Sequence, residues 1–208
     1  MNKNSLIGIC FLIVGILFLI MWILIFFVSI GTNLLWIEFG PEFIKIIALI
    51  YIFEIFLFIL IGICSLLIGV FIWRVFHTIE EGSSKIGILF LLSGIIFVLN
   101  AILEILREVI LLEFVSDFRV SITFYFTVIM LFLVGFLVII VGIIFAKKKV
   151  SLLRWKLIIG TIFLMCGVIF LIYGIYIIWY IWFYFMWILI GILEIIIGFM
   201  FRKINNAK

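Results

Sequence analysis

Apolar residues run through this chain in long unbroken blocks, separated by short polar stretches, and the blocks set the elements. The first block, Leu6 to Ile30, follows Lys3, and a short connection over Thr32 to Lys45 carries Trp36, Glu38, Pro41 and Glu42. Ile46 to Trp73 is the second block, closed by Arg74, and 74–85 forms a polar loop with His77, Glu80 and Glu81. The third begins at Ile86 and reaches about Leu103. Beyond it, Glu104, Arg107 and Glu108 share one helical face while Ile105, Leu106, Val109 and Ile110 cover the other, so the helix is expected to extend or to lie at a membrane interface. Val120 to Ala146 is the fourth block, ending in Lys147, Lys148 and Lys149. From Leu157 to Phe201 only Glu194 interrupts the apolar run, which as one helix would be about 67 Å long, twice a bilayer. Two helices joined by a turn near Trp179 to Tyr184 fit instead, with the aromatics there forming an interfacial belt.

Six spans follow, since about 20 apolar residues suffice to cross a bilayer. Lipid offers no hydrogen-bond partner to the backbone, so spans must be helices or a closed barrel, and continuous apolar runs lack the alternation of a barrel. The expected fold class is all-α: a polytopic membrane protein of six transmembrane helices arranged as three repeated two-helix hairpins. Composition agrees, since 70% of the 208 residues are apolar and the mean hydropathy is +1.67, leaving too little polar surface for a soluble domain. The first span exceeds the apolar core of a cleavable signal peptide and is expected to be retained.

Glycine spacing carries the repeat. Gly8 and Gly15, Gly87 and Gly94, and Gly160 and Gly167 each stand seven apart, and each first glycine is followed by Phe three and ten residues later. A second element pairs Gly62 with Gly69, Gly135 with Gly142 and Gly191 with Gly198, each ending near a cation. The single transmembrane domain, 1–208, then divides into repeats of about 1–81, 82–152 and 153–208. Glycines every seven residues lie along one helix seam and admit a neighbouring backbone closely. Gly174 is expected to fall outside this register. All six pairs lie near the cationic ends, so the bundle should be pinched there and splayed at the other end, around a pseudo-threefold axis.

Charge orients the chain. Lys3, Arg74, Lys85, Lys147, Lys148, Lys149, Arg154, Lys156, Arg202, Lys203 and Lys208 fall on one side of the six spans, against Lys45, Arg107 and Arg119 on the other. The excess predicts both termini in the cytoplasm, in the cell membrane.

Little chemistry is suggested. Cys10, Cys64 and Cys166 sit within apolar runs without paired spacing, and one histidine leaves no imidazole pair. No nucleophile–base pair, phosphate loop or metal spacing appears, so an enzyme is not expected, nor a cofactor or a nucleic-acid partner. Membrane lipid is the expected partner, with a homo-oligomer or another membrane protein left open. Two carboxylates lie within spans. Glu54, about 30 Å along the helix from Arg74, is expected at a wetted helix end. Glu194, about 12 Å from Arg202, falls near the midplane, where an ionisable group usually faces the bundle interior. With no cation at its depth it should be neutral, with Asn100, Ser93 or Ser65 as hydrogen-bond partners. Glu194, Asn100 and Ser65 form the candidate intramembrane polar site.

The glycine pairs and their hairpins resemble the HdeD-like family of acid-resistance membrane proteins, small six-span proteins with a short glycine-rich repeat. The third hairpin, with 24 residues from Gly167 to Gly191, has that family's compact spacing; the first two are longer, and its proline after the odd helices is missing. The resemblance implies a stress-related role and brings no catalytic residues. Two functions compete: a non-catalytic, stress-related or scaffolding membrane protein, and a small transporter or channel with an outward cleft and a proton- or cation-linked Glu194.

Overall fold

The computed structural model describes residues 3–39, 41–75, 83–114, 122–147, 153–177 and 185–203. Six helices account for nearly all of them: α1 (Lys3–Phe39), α2 (Glu42–Val70, running into a π-helical turn, Phe71–Val75), α3 (Ser83–Phe114), α4 (Ile122–Ala146), α5 (Leu153–Ile177) and α6 (Phe185–Lys203). Each contains a segment long and apolar enough to cross a bilayer. This is a six-helix, multi-pass membrane protein.

One boundary differs from the sequence reading. α1 spans 37 residues, about 55 Å, and absorbs the stretch 32–39 that was expected to be a connection. Nothing in this stretch forbids a helix until Pro41, whose carbonyl accepts from the Ile44 and Lys45 amides as α2 begins. α3 takes the first of the two courses expected of it, continuing without a break through Glu104, Arg107 and Glu108 to Phe114. The turn expected at 179–184, the loop with His77, and Lys148 and Lys149 lie outside the described residues.

Helices α1 and α2, α3 and α4, and α5 and α6 pair as antiparallel hairpins, and contacts of α2 with α3, α4 with α5 and α6 with α1 close a ring. Both ends of the described chain therefore lie on one face of the bundle, called here the terminal face.

Glycines make the hairpins close. A Cβ built on Gly15 would stand 2.8 Å from the Gly62 carbonyl oxygen and 2.7 Å from the Leu66 amide nitrogen. Gly94 meets Gly135 at 2.7 Å and Gly167 meets Gly191 at 2.6 Å in the same way. Gly8 faces Gly69, Gly87 faces Gly142 and Gly160 faces Gly198, one heptad nearer the terminal face. Such separations exclude any side chain, so the contact is backbone on backbone. Gly174 corrects the sequence reading. It stands seven residues after Gly167, and its Cβ would meet the Ile188 amide nitrogen at 2.9 Å, so the seam in the third hairpin runs one heptad further.

With the glycines turned toward the hairpin partner, a second heptad face of α1, α3 and α5 points at the centre. Ile7, Ile86 and Ile159 are wholly buried there. Phe11, Phe90 and Phe163 come next, their ring centroids 5.6, 5.5 and 5.8 Å apart pairwise. Phe18, Phe97 and Phe170 form a second layer, at 6.4, 6.4 and 6.2 Å. Each mutual contact of this kind contributes about 0.5–1.5 kcal/mol beyond area burial. Two aromatic layers therefore cross the axis, with Val14, Ser93 and Cys166 at the level between them. The opposite helix faces, such as Ile88, Ile95, Phe136 and Ile172, are exposed and suited to lipid.

Candidate functional site

Two chambers sit on the central axis, separated by the second phenylalanine layer. The smaller, of about 30 Å³, lies between the layers and is lined by Glu194, Ser65, Ser93 and Cys166 among the aromatic rings. It has room for a single water molecule. Glu194 of α6 is 8% exposed, and its Oε2 has no hydrogen-bond partner among the described residues. It projects inward because it occupies, on α6, the heptad position that Ser65 holds on α2, three after the first glycine of the pair. Ser93 is already engaged, its hydroxyl donating 2.9 Å to the Leu89 carbonyl.

The larger chamber, about 180 Å³, lies on the side of the second layer away from the terminal face, and every helix contributes to it. α2 supplies Tyr51, Glu54 and Phe58, and α3 supplies Asn100, Glu104 and Arg107. Spacings of three, four and seven put each set on one helical face. Trp22, Thr127, Tyr173 and Trp187 come from α1, α4, α5 and α6.

Arg107 is the centre of charge. Its Nη1 donates a 2.8 Å hydrogen bond to Glu54 Oε2, its Nη2 pairs with Glu104 one turn away, and its guanidinium lies 6.0 Å from the Tyr51 ring centroid. The side chains of Glu54 and Arg107 are only 7% and 19% exposed, so this is a buried ion-pair cluster. Glu108, next along α3, is 8% exposed, and its Oε2 has no hydrogen-bond partner among the described residues.

The walls are aromatic. Trp22 stacks on Phe58 at 4.1 Å with its plane inclined by 2°, and Trp187 meets Tyr173 edge-on at 5.4 Å. The hydroxyls of Thr127 and Tyr173 are 3.3 Å apart. Yet much of the chamber's polar capacity is unspent. Asn100, 1% exposed, has neither its amide nitrogen nor its oxygen bonded to any described residue. The same holds for Glu54 Oε1 and for the indole nitrogens of Trp22 and Trp187. A buried polar atom left unsatisfied costs about 1–3 kcal/mol.

The candidate site drawn from sequence thus divides. Glu194 and Ser65 line the small chamber together with Ser93. Asn100 does not join them: it is seven residues beyond Ser93 on α3, about 10 Å along the axis, and lines the large chamber instead. Glu54 is corrected as well. It is 5% exposed and ion-paired, where a wetted helix end was expected. Burial is possible because Arg107 arrives from the neighbouring helix.

The pairing left a signal in the sequence. Glu54 stands 20 residues before Arg74, and Arg107 stands 22 after Lys85, so the two share a depth on adjacent helices. Trp22 and Trp187, by contrast, are two apolar positions among many. The three cysteines are buried free thiols. The chain matches no protein-family model, no curated protein and no solved structure.

Proposed function

We propose that the protein is a non-enzymatic membrane protein that binds a small polar solute in its large chamber and acts as a small transporter or channel. The observation that carries this is the set of unspent polar atoms on Asn100, Glu54, Trp22 and Trp187 around one chamber. A purely architectural bundle gains nothing from burying them, because each costs stability and an apolar side chain would pack as well. The cation imbalance supports placement in the cell membrane with both termini cytoplasmic, so that the large chamber faces outward. Cysteines introduced at Ser151 and Asn206 should then resist an impermeant thiol reagent on intact cells, while one at Ser116 should react.

Glu194 supports a coupled proton or cation as a second element of the same reading. It lies on the axis beyond the aromatic layer, with a carboxyl oxygen free of partners among the described residues. The HdeD-like glycine spacing adds a stress-related setting.

The test is flux of a panel of small polar solutes into liposomes holding the purified protein, with and without a pH gradient. At least one solute should move faster than through protein-free vesicles, and Asn100→Leu should abolish that movement while leaving the melting temperature unchanged or raised. A panel with no transported or bound solute would leave the architectural role standing and overturn this one.

A further inference from the structure

We infer that the solute taken by the large chamber is a small organic ammonium cation. The inference rests on reading that chamber as a solute site, and it adds the chemical class. Charge is the first argument. Two carboxylates, Glu54 and Glu104, line the chamber with a single guanidinium, and Glu108 is buried beside them on α3. Arg107 is engaged by both lining carboxylates, so its charge is already directed at protein groups. A carboxylate- or phosphate-bearing solute would meet more carboxyl groups than cations, with the guanidinium turned elsewhere. A cation would balance the excess.

The second argument is which groups remain to be satisfied. Glu54 Oε1 and Asn100 Oδ1 are buried acceptors with no partner among the described residues, and both belong to residues lining the chamber. Acceptors of this kind suit ammonium hydrogens or the positive shell of an alkylated nitrogen. The indole N–H groups of Trp22 and Trp187 are donors in the same condition, and match a hydroxyl oxygen elsewhere on the solute.

The third argument is the walls. Five of the lining residues are aromatic, and the chamber already holds one cation, Arg107, toward the ring of Tyr51. Aromatic rings attract cations through their negative faces, most strongly where water is excluded. Volume bounds the size: 180 Å³ corresponds to about six water molecules, hence to a solute of roughly six non-hydrogen atoms.

The experiment uses the purified full chain in detergent, with tryptophan fluorescence and thermal shift as readouts. Choline, its uncharged isostere with carbon in place of nitrogen, and acetate are the probes. Choline should bind saturably and the isostere at least about tenfold more weakly. Trp22→Leu should weaken choline binding by about tenfold and Trp22→Phe should restore most of it, a contrast that does not depend on touching the ion pair. If the isostere or acetate binds as well as choline, and Asn100→Leu abolishes that binding, the solute site stands and the cation class is overturned. If none of the three binds, the inference also fails; the solute panel then decides separately whether the chamber binds anything.

Discussion

Arg107 and Glu54 lie 53 positions apart in the chain, and their side chains meet through a 2.8 Å hydrogen bond between α3 and α2. That bond ties the first hairpin to the second at the level of the large chamber. A buried ion pair is weak evidence for stability, since desolvation offsets much of the attraction. Breaking it is another matter. Arg107→Met should destabilise by about 3–5 kcal/mol, because Glu54 and Glu104 lose their common counter-charge. Glu54→Gln should cost less, since Glu104 still neutralises the guanidinium. Thermal unfolding in detergent measures both, and equal costs would show that Glu104 does not share the charge.

The glycine seam predicts an order of sensitivity. Leu at Gly15, Gly94, Gly167 or Gly174 should force two helices apart, at a cost of about 1–3 kcal/mol or more. Gly174 belongs among the sensitive positions because it meets α6 backbone. Even alanine should be felt at Gly15, where the new methyl would meet a backbone nitrogen at 2.7 Å. Gly62→Ala should be the mildest, because its nearest neighbours are Leu19 side-chain carbons at 3.0 and 3.1 Å, which can rotate away. Melting temperatures of the alanine pair 15 and 62 decide it.

The aromatic layers predict near-equivalence around the axis. Phe11→Ala, Phe90→Ala and Phe163→Ala each remove one of three mutually touching rings. Each should cost less than the ~3–5 kcal/mol of a soluble core, because lipid is as apolar as the interior and only packing is lost. Unfolding measurements differing by more than a factor of two would show that the three positions are not equivalent.

Glu194 has little space. Glu194→Gln preserves volume in a 30 Å³ chamber and should leave stability nearly unchanged. Glu194→Lys brings a longer, fixed charge to the interior and should cost about 2.5–3.5 kcal/mol, visible as loss of folded protein on size-exclusion chromatography. If Gln leaves solute flux indifferent to the pH gradient while flux itself persists, the carboxyl carries the coupling. Coupling unchanged in Glu194→Gln would remove that role.

By itself the sequence determined most of what depends on distance along the chain. Span number follows from apolar length, and hairpin pairing follows from glycines at heptad spacing near matching cations. Glu194 could be placed at depth because depth in a helix is residue count times rise. Only the tertiary structure decided what depends on rotation and neighbours. A glycine seam and a phenylalanine seam run side by side on each odd helix, and which one faces the hairpin partner and which the axis is settled by packing all six helices into a ring. Asn100 and Glu194 are both polar residues in apolar surroundings, yet an aromatic layer separates them. Glu54 was the case in which single-chain depth misled. Its position near a span end suggested water, while the neighbouring helix brings Arg107 to the same level and turns a surface carboxylate into a buried one. Unbroken apolar length fixes which segments enter the membrane, but a partner 53 positions away is chosen only when the helices close around it.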